Sequence, residues 1–234
     1  MAWFRGQRRD SETPPPEASG DAQTTPIEPV DSEDEPANHG WDAIHAACTR
    51  IYGDQEPRHV GYFPGRAFGS VLQGCSAYRA DGHWHYVTYG LSNVFDEDEG
   101  DNHGFSGHGC ELTWRIRDEG GTAEAPGWPF TVLQRIAKWA VDDRFVLMEG
   151  RRIALTWPVT GYPDTGGPDT PQTSLLLVTD PELGVIDTAN GRVDFVQFVA
   201  VDDQTVADIS ELGGDAVVDR LRRQDPLMVS VIGR

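Results

Sequence analysis

Two histidines separated by one residue are the side chains in this sequence best placed for metal chemistry. His83 and His85 lie in a segment that is rich in aromatic and β-branched residues, which is typical of a strand. Alternate side chains of a strand point to the same face, so both imidazoles could bind one ion. His103, His108 and Cys110 follow downstream and could complete a zinc site. Their spacing matches no known zinc motif, so a metal-dependent protein is the alternative interpretation and no cofactor is expected.

A run of carboxylates follows the histidine segment. Calcium prefers oxygen ligands, but this run lacks the EF-hand pattern of alternating ligands with glycine at the sixth position and glutamate at the twelfth. A solvated loop is the simplest interpretation, and a surface that attracts a basic partner is the next. The residues are Asp96, Glu97, Asp98, Glu99 and Asp101.

No segment of the sequence matches a nucleophilic or phosphate-binding motif. Ser92 and Ser106 stand outside any nucleophile-elbow sequence. Residues 104–109 are rich in glycine but lack the Lys-Ser/Thr pair of a P-loop. The three cysteines lie in apolar or strand contexts, as small core residues do. No contiguous motif thus indicates an enzyme, and a catalytic triad assembled from distant residues is left open.

The composition narrows the class of partner. The chain of 234 residues carries 19 Lys and Arg against 38 Asp and Glu, a net charge of −19. Nucleic-acid binding requires cations that neutralise phosphates, so this balance argues against DNA or RNA. No apolar run is long enough to span a bilayer, and no apolar segment follows the N-terminus as in a secretory signal. Sparse cysteines favour reduced thiols and a cytoplasmic location.

Two predicted strands would position the candidate residues. Residues 83–89 carry large side chains on both faces and predict a central strand that is covered on both sides. Residues 111–117 alternate, and predict a half-buried strand. Their apolar face comprises Leu112, Trp114 and Ile116, and their polar face comprises Glu111, Thr113, Arg115 and Arg117.

The whole pattern predicts a single α+β domain over 39–234, with a central mixed, mostly antiparallel sheet flanked by helices. A disordered, acidic and proline-rich tail is expected over 1–38. The Asn190-Gly191 pair is a strong hairpin signal between two of the strands. Strands are predicted at 75–79, 83–89, 111–117, 174–179, 185–188, 192–201 and 227–232, and helices at about 41–52, 129–141, 204–212 and 215–224.

Several of these segments also resemble the Suppressor of fused family. The matching stretches are His83–Ser92, Gly107–Arg115, Trp128-Pro129 with the helix behind it, and Asp180–Thr188, in the same order and spacing. The resemblance covers roughly 40–232 and implies a protein-binding domain rather than an enzyme. In the animal members an equivalent domain is followed by a second one, and a transcription-factor peptide is held between them. We expect no second domain in this chain.

The resemblance also implies a partner-binding surface. In the animal members it includes an aromatic residue shortly after the Gly-Leu-Ser motif and an acidic residue before the second signature strand. Phe95 occupies the aromatic position, and the acidic position falls at His103 with Asp101 close by. The histidine departs from the family pattern, so a different ligand on the same surface is left open. The candidate residues are Tyr89, Phe95, Asp96, Glu97, Asp98, Glu99, Asp101 and His103.

The function that follows is a non-enzymatic protein-binding module of the Suppressor of fused type. It would bind an extended peptide at an exposed sheet edge, and a basic partner is favoured. The domain would act as an immunity protein or as a regulator. Two alternatives stay open: a metal-dependent protein that uses His83 and His85, and a regulator tethered through the 1–38 tail. The identity of the partner and the oligomeric state are left open.

Overall fold

The computed structural model describes residues 37–63, 70–95 and 104–233. The predicted tail therefore lies almost entirely outside the described residues, and so does the acidic run with His103. The described residues belong to one compact unit, Pro36–Arg234. None of the helices in these ranges is long and apolar enough to cross a membrane.

The described chain contains four helices and eight strands, in the order one helix, four strands, a second helix, four strands and two helices. The helices are α1 (His39–Tyr52), α2 (Trp128–Asp142), α3 (Asp203–Leu212) and α4 (Gly214–Gln224). The strands are β1 (Arg58–Gly61), β2 (Gly74–Ala80), β3 (His83–Tyr89), β4 (Phe105–Arg117), β5 (Arg152–Ala154), β6 (Ser174–Thr179), β7 (Val185–Thr188) and β8 (Gly191–Val201).

All eight strands form one sheet in the order β1-β2-β3-β4-β8-β6-β5, with β7 paired to β8 outside this path. The β4–β8 pair is parallel and every other pair is antiparallel. The α+β class and the mixed, mostly antiparallel sheet are thus confirmed. The hairpin predicted by Asn190-Gly191 is also present, since Thr188 pairs with Gly191.

Helices cover both faces of the sheet. Apolar residues of α2 pack on one face, against Trp84, Tyr86 and Trp114. On the opposite face α1 packs over the β3 half of the sheet and α4 over the β6 half, in two separate clusters. All seven residues of β3 are consequently buried, as predicted for a central strand.

Local sequence explains where two of the helices begin. A proline occupies the first turn of α2, where its missing N–H costs nothing. Asp202 caps α3, because its side chain accepts a hydrogen bond from the backbone N–H of Thr205 at 2.8 Å. Each helix begins one residue before its predicted start, at Trp128 and Asp203.

Three parts of the sheet differ from the expectation. The short edge strands β1 and β5 were not predicted, since the residues around β1 were expected to form a loop or an irregular edge. The closing strand expected at 227–232 is wrong, because only Ser230 forms a bridge, to Ile116. Met228 has a φ of 54°, and the Asp225 carboxylate accepts bonds from the N–H groups of residues 227 and 229, so extended pairing is not possible there.

Candidate functional site

The polar face of β4 is buried, which contradicts the expected half-buried strand. Glu111, Thr113 and Arg115 each have a relative exposure of 0%. They lie on the face covered by α1 and α4, where β3 and β8 flank β4 on either side. Buried polar groups must find partners within the protein, so each of these side chains belongs to a hydrogen-bond network.

Asp180 is the centre of the first network. Its Oδ2 accepts bonds from His85 Nε2 at 3.0 Å, Thr113 Oγ1 at 2.7 Å and Arg115 Nη1 at 2.7 Å. Its Oδ1 accepts the backbone N–H groups of Glu182 at 3.0 Å and Leu183 at 2.9 Å. One buried carboxylate thus fixes β3, β4 and the turn that follows β6.

Arg115 extends this network to the C-terminal segment. Its guanidinium donates to Glu182 Oε2 at 2.9 Å and to Gln197 Oε1. The Gln197 side chain in turn donates to the carbonyl groups of Leu227 at 2.9 Å and Met228 at 3.0 Å. The segment that fails to form a strand is therefore held by a side chain from β8.

The partners of His85 define its protonation. Burial alone would raise the pKa of the Asp180 carboxyl, but the hydrogen bonds from His85 and Arg115 and the charge of Arg115 outweigh it and keep this pKa well below the usual range. His85 must then donate from Nε2, which leaves Nδ1 to accept the Tyr52 hydroxyl at 2.7 Å. Desolvation and the charge of Arg115 lower the pKa of His85 to about 4, so the ring is neutral at pH 7.

The Tyr52–His85–Asp180 arrangement places a hydroxyl, an imidazole and a carboxylate in line, as in a hydrolase triad. However, burial raises the pKa of Tyr52 above its usual value, and the side chains of His85 and Asp180 are 0% exposed. A substrate has no access to the imidazole. The arrangement therefore fastens the end of α1 to the sheet and does not constitute an active site.

Glu111 is the centre of a second network. Its Oε1 accepts the backbone N–H groups of Gly90 at 2.8 Å and Ser92 at 2.9 Å, and the Ser92 hydroxyl at 2.7 Å. Its Oε2 accepts the Thr88 hydroxyl at 2.6 Å. Burial raises the pKa of Glu111 above its ordinary value, while these four donors oppose that shift. The carboxylate thereby fixes the backbone that leads into the acidic run.

A third set of bonds joins the β7–β8 hairpin to the described residues that flank the acidic run. Asn190, in the turn between β7 and β8, donates from Nδ2 to the carbonyl groups of Asn93 at 3.1 Å and Phe95 at 3.3 Å. On the other side, the N–H of Arg192 donates to the Gly104 carbonyl at 2.9 Å. The β7–β8 hairpin therefore bonds to the chain both before and after residues 96–103.

The structure distributes the predicted partner-binding residues over different environments. Tyr89 is 1% exposed and stacks on Trp41 of α1, with ring centroids 4.3 Å apart, so it supports the surface from beneath. Phe95 is half-buried against the α1 cluster. Asp96, Glu97, Asp98, Glu99, Asp101 and His103 lie outside the described residues. The contacts that these six residues would make with a partner protein stay predictions.

The residues considered for metal binding are not assembled into one site. Both ring nitrogens of His85 are engaged, and His83 Nδ1 lies 3.0 Å from the Asp81 carbonyl. Cys110 belongs to the cluster on the opposite face of the sheet. Within 37–63, 70–95 and 104–233, no three His, Cys, Asp or Glu side chains are placed to hold an ion.

The residues that organise this region, Glu111, Arg115, Asp180 and Asn190, were not recognised from the sequence as functional. A signal was present in the pairing of strands. β3 has large side chains on both faces and must be covered by other elements on both sides. The same elements then also cover the neighbouring strand β4. The polar face of β4 should therefore have been expected inside.

The role of Glu111 can be tested by Glu111→Gln. The amide nitrogen would take the place of Oε2, which now accepts the Thr88 hydroxyl, so that hydroxyl would lose its acceptor. We expect a loss of about 1–3 kcal/mol in the free energy of unfolding. Amide hydrogen exchange of Gly90 and Ser92 should accelerate by about tenfold or more. The exposed Glu119→Gln is the matched control, and equal exchange in both variants would contradict this role.

With this geometry established, comparison with known proteins places the chain. Residues 70–234 match the family model described as Suppressor of fused protein (SUFU). The chain is 28% identical over 202 residues to the Suppressor of fused homologs of Homo sapiens and Mus musculus. The alignment covers 78% of this chain and 40% of each relative, so the chain spans well under half the length of these curated relatives.

Solved structures agree with this assignment. The fold matches a chain of the Sufu–Fu complex with a TM-score of 0.73 and 27% identity, covering 86% of this chain and 92% of that one. It matches Drosophila Suppressor of Fused with the same score and identity, covering 84% and 50%. A SUFU homolog from Neisseria gonorrhoeae FA 1090, at 12% identity and a TM-score of 0.56, shares the fold. The resemblance read from the sequence is confirmed: this chain belongs to the Suppressor of fused protein family.

Proposed function

We propose that this chain is a non-enzymatic protein-binding domain that holds a partner polypeptide at an edge of its sheet. The observation that carries the proposal is the match to a chain from the Sufu–Fu complex, because it extends over 92% of that chain. The fold therefore corresponds to a unit that was crystallised within a protein complex. The closed environment of His85 and Asp180 is consistent with a function that requires no catalysis.

The edge of β7 belongs to the hairpin that bonds to Phe95 and Gly104, the described residues on either side of the acidic run. The N–H of Phe195 bonds to the Gly184 carbonyl, and Ile186 pairs with Val193 two residues on. In an antiparallel pair, backbone groups alternate between the partner strand and the outside. The N–H and C=O groups of Val185 and Asp187 consequently point away from β8. An extended peptide could pair with them by β-augmentation.

The charge near this edge favours a basic partner. Asp187 is exposed on β7. Asn190, in the turn of the same hairpin, bonds to the carbonyl groups of Asn93 and Phe95, which directly precede the carboxylates of 96–101 in the sequence. Arg192, the nearby cation, is neutralised by Asp194, whose Oδ1 lies 2.7 Å from Arg192 Nε. In this proposal the domain sequesters a basic protein in the cytoplasm, either as an immunity protein or as a regulator.

The test is recovery of a partner from the native host with the full chain, followed by titration of that partner against two variants. Asp187→Pro removes an outward N–H, and a second variant replaces the carboxylates of 96–101 with amides. We expect both to weaken binding by about tenfold or more. Ala154→Pro, on the opposite edge of the sheet, is the matched control. The proposal fails if no protein is retained reproducibly and the chain instead turns over small substrates.

A further inference from the structure

The far edge of the sheet carries a second surface with the opposite charge. It is formed by β5, the last strand of the sheet, and by the C-terminal half of α2 with the loop that follows. The segment 135–152 contains five Arg and Lys against three Asp and Glu, in a chain whose net charge is −19. This local reversal of charge is independent of the β7 edge.

The backbone of β5 is open on its outer side. Towards β6, the Arg151 carbonyl accepts the N–H of Leu177 at 2.8 Å, and the N–H of Leu155 bonds to the Thr173 carbonyl at 2.8 Å. Ile153 pairs with Leu175 between them. The alternation of an antiparallel pair directs the N–H and C=O groups of Arg152 and Ala154 outwards. Two donors and two acceptors are thus available to an incoming strand.

An apolar cavity lies directly beside this edge. It has a volume of about 380 Å³ and lies between α2 and the chain from Ile153 to Trp157. Trp139, which is 37% exposed, and Ile136 line its helix side. Such a volume suits one bulky apolar side chain of a bound strand. Side chains alternate along a strand, so every second residue of the partner would point towards the cavity.

Exposed apolar residues continue this surface along the loop after α2. Val146 is 59% exposed and Met148 is 53% exposed. Phe145 lies between the Trp139 ring, at a centroid distance of 4.9 Å, and the Arg151 guanidinium, which is 4.3 Å from the ring centre. Contiguous exposed apolar groups of this kind mark interaction sites more often than ordinary surface.

The cations here are free to meet an acidic ligand. Arg151 is exposed and donates to the Val146 carbonyl, and Arg152 donates to the Ser174 hydroxyl. Within the described part of the chain neither forms an ion pair. Arg135 approaches the carboxylate of Asp164 at 3.7 Å, but both side chains are largely exposed, so the pair is weak.

From these observations we infer that the open edge of β5, with its flanking arginines and apolar cavity, binds an extended acidic segment of a second protein partner. The segment would add a strand to β5, place a bulky apolar side chain in the cavity and direct its carboxylates to Arg151 and Arg152. The domain would then take two partners of opposite charge on two edges of one sheet.

A displayed library of short random peptides, selected against the full chain, tests this inference. The expected sequences are acidic and carry bulky apolar residues at alternate positions. Binding should fall by about tenfold or more in Ala154→Pro, which removes an outward N–H, and in Arg151→Glu, which leaves the backbone intact. Asp187→Pro should bind the same peptides unchanged. Circular dichroism and thermal unfolding establish that each variant is folded.

Amide hydrogen exchange supplies a second measurement. Bound peptide should protect the amides of Arg152 and Ala154, which are unpaired in the free chain, and leave that of Ile153 nearly unchanged. Selection that yields only basic peptides, or no peptide sensitive to residues 151 and 154, would overturn the inference. So would protection that appears at Val185 and Asp187 instead. Binding of a basic host protein at β7 is unaffected by either result, so the two proposals fail separately.

Discussion

Asp180→Asn is expected to lower the free energy of unfolding by about 3–5 kcal/mol, the largest effect of any single substitution considered. The asparagine keeps the shape of the side chain but removes the charge that compensates Arg115, which is itself 0% exposed. Its amide would also present hydrogens to His85 and Thr113, which now donate to Oδ2. Urea unfolding, followed by fluorescence, measures the loss.

The control for this substitution is Asp142→Asn. Asp142 pairs with Lys138 at 2.7 Å one helical turn away, and both side chains are about half exposed. Exposed pairs of this type contribute less than about 1 kcal/mol. If Asp180→Asn cost no more than Asp142→Asn, the carboxylate would not be the centre of the network that the geometry indicates.

The second large effect is a loss of stability in mild acid. In the unfolded chain His85 has a pKa near 6.5, and in the folded chain about 4. Between these pH values the unfolded state binds a proton that the folded state does not, so the free energy of unfolding falls as pH falls. The stability that neutral His85 contributes is fully present above pH 6.5 and is lost as pH falls towards 4. This loss amounts to about 3 kcal/mol at most. Below this window, protonation of Asp180 adds a further loss, since folding lowers its pKa.

His85→Gln isolates this contribution. Glutamine also offers one donor and one acceptor, but it does not titrate. The difference in unfolding free energy between wild type and variant should shrink by up to about 3 kcal/mol from pH 7 to pH 4. His59, His83 and His108, whose pKa values are also lowered by burial, contribute equally to both proteins and cancel. Parallel pH profiles would show that folding leaves the pKa of His85 unchanged, and would contradict this prediction.

The central part of the fold could be predicted because its side chains leave few options. β3 has rings and branched residues on both faces, so only a covered strand accommodates it. The apolar stripe of α2 and the Asn190-Gly191 turn were equally direct signals. The pairing of β4 with β8, by contrast, joins residues far apart in sequence and leaves no local pattern.

The same argument explains the main error at the site. The alternation of polar and apolar residues in β4 indicated that one face of the strand is exposed to solvent, because a polar side chain is usually exposed. The partners that make burial tolerable are distant: Asp180 lies 65 residues after Arg115, and His85 lies 95 residues before Asp180. No single segment of the sequence shows that these groups meet.

This outcome changes what the resembling segments mean. The stretches His83–Ser92, Gly107–Arg115 and Asp180–Thr188 supply most of the two buried networks, around Asp180 and Glu111. They identify the family through interior groups that hold the hairpin and the ends of the acidic run. The exposed residues that would select a partner are distinct from these interior groups. A relative can therefore keep every one of these stretches and still bind a different protein.

The parallel contact between β4 and β8 has a consequence for how the chain acquires its fold during synthesis. Strands β1 to β4 can pair as a meander as soon as they leave the ribosome, but the neighbour of β4 is about eighty residues away in sequence. Until the segment from Asp180 to β8 is synthesised, Arg115 lacks its counter-charge and one side of β4 has no neighbouring strand. Contacts of such high sequence separation slow folding and prolong the exposure of aggregation-prone strands. The interval between the completion of β4 and the synthesis of β8 is thus the time at which the unpaired edge of β4 is available to other chains.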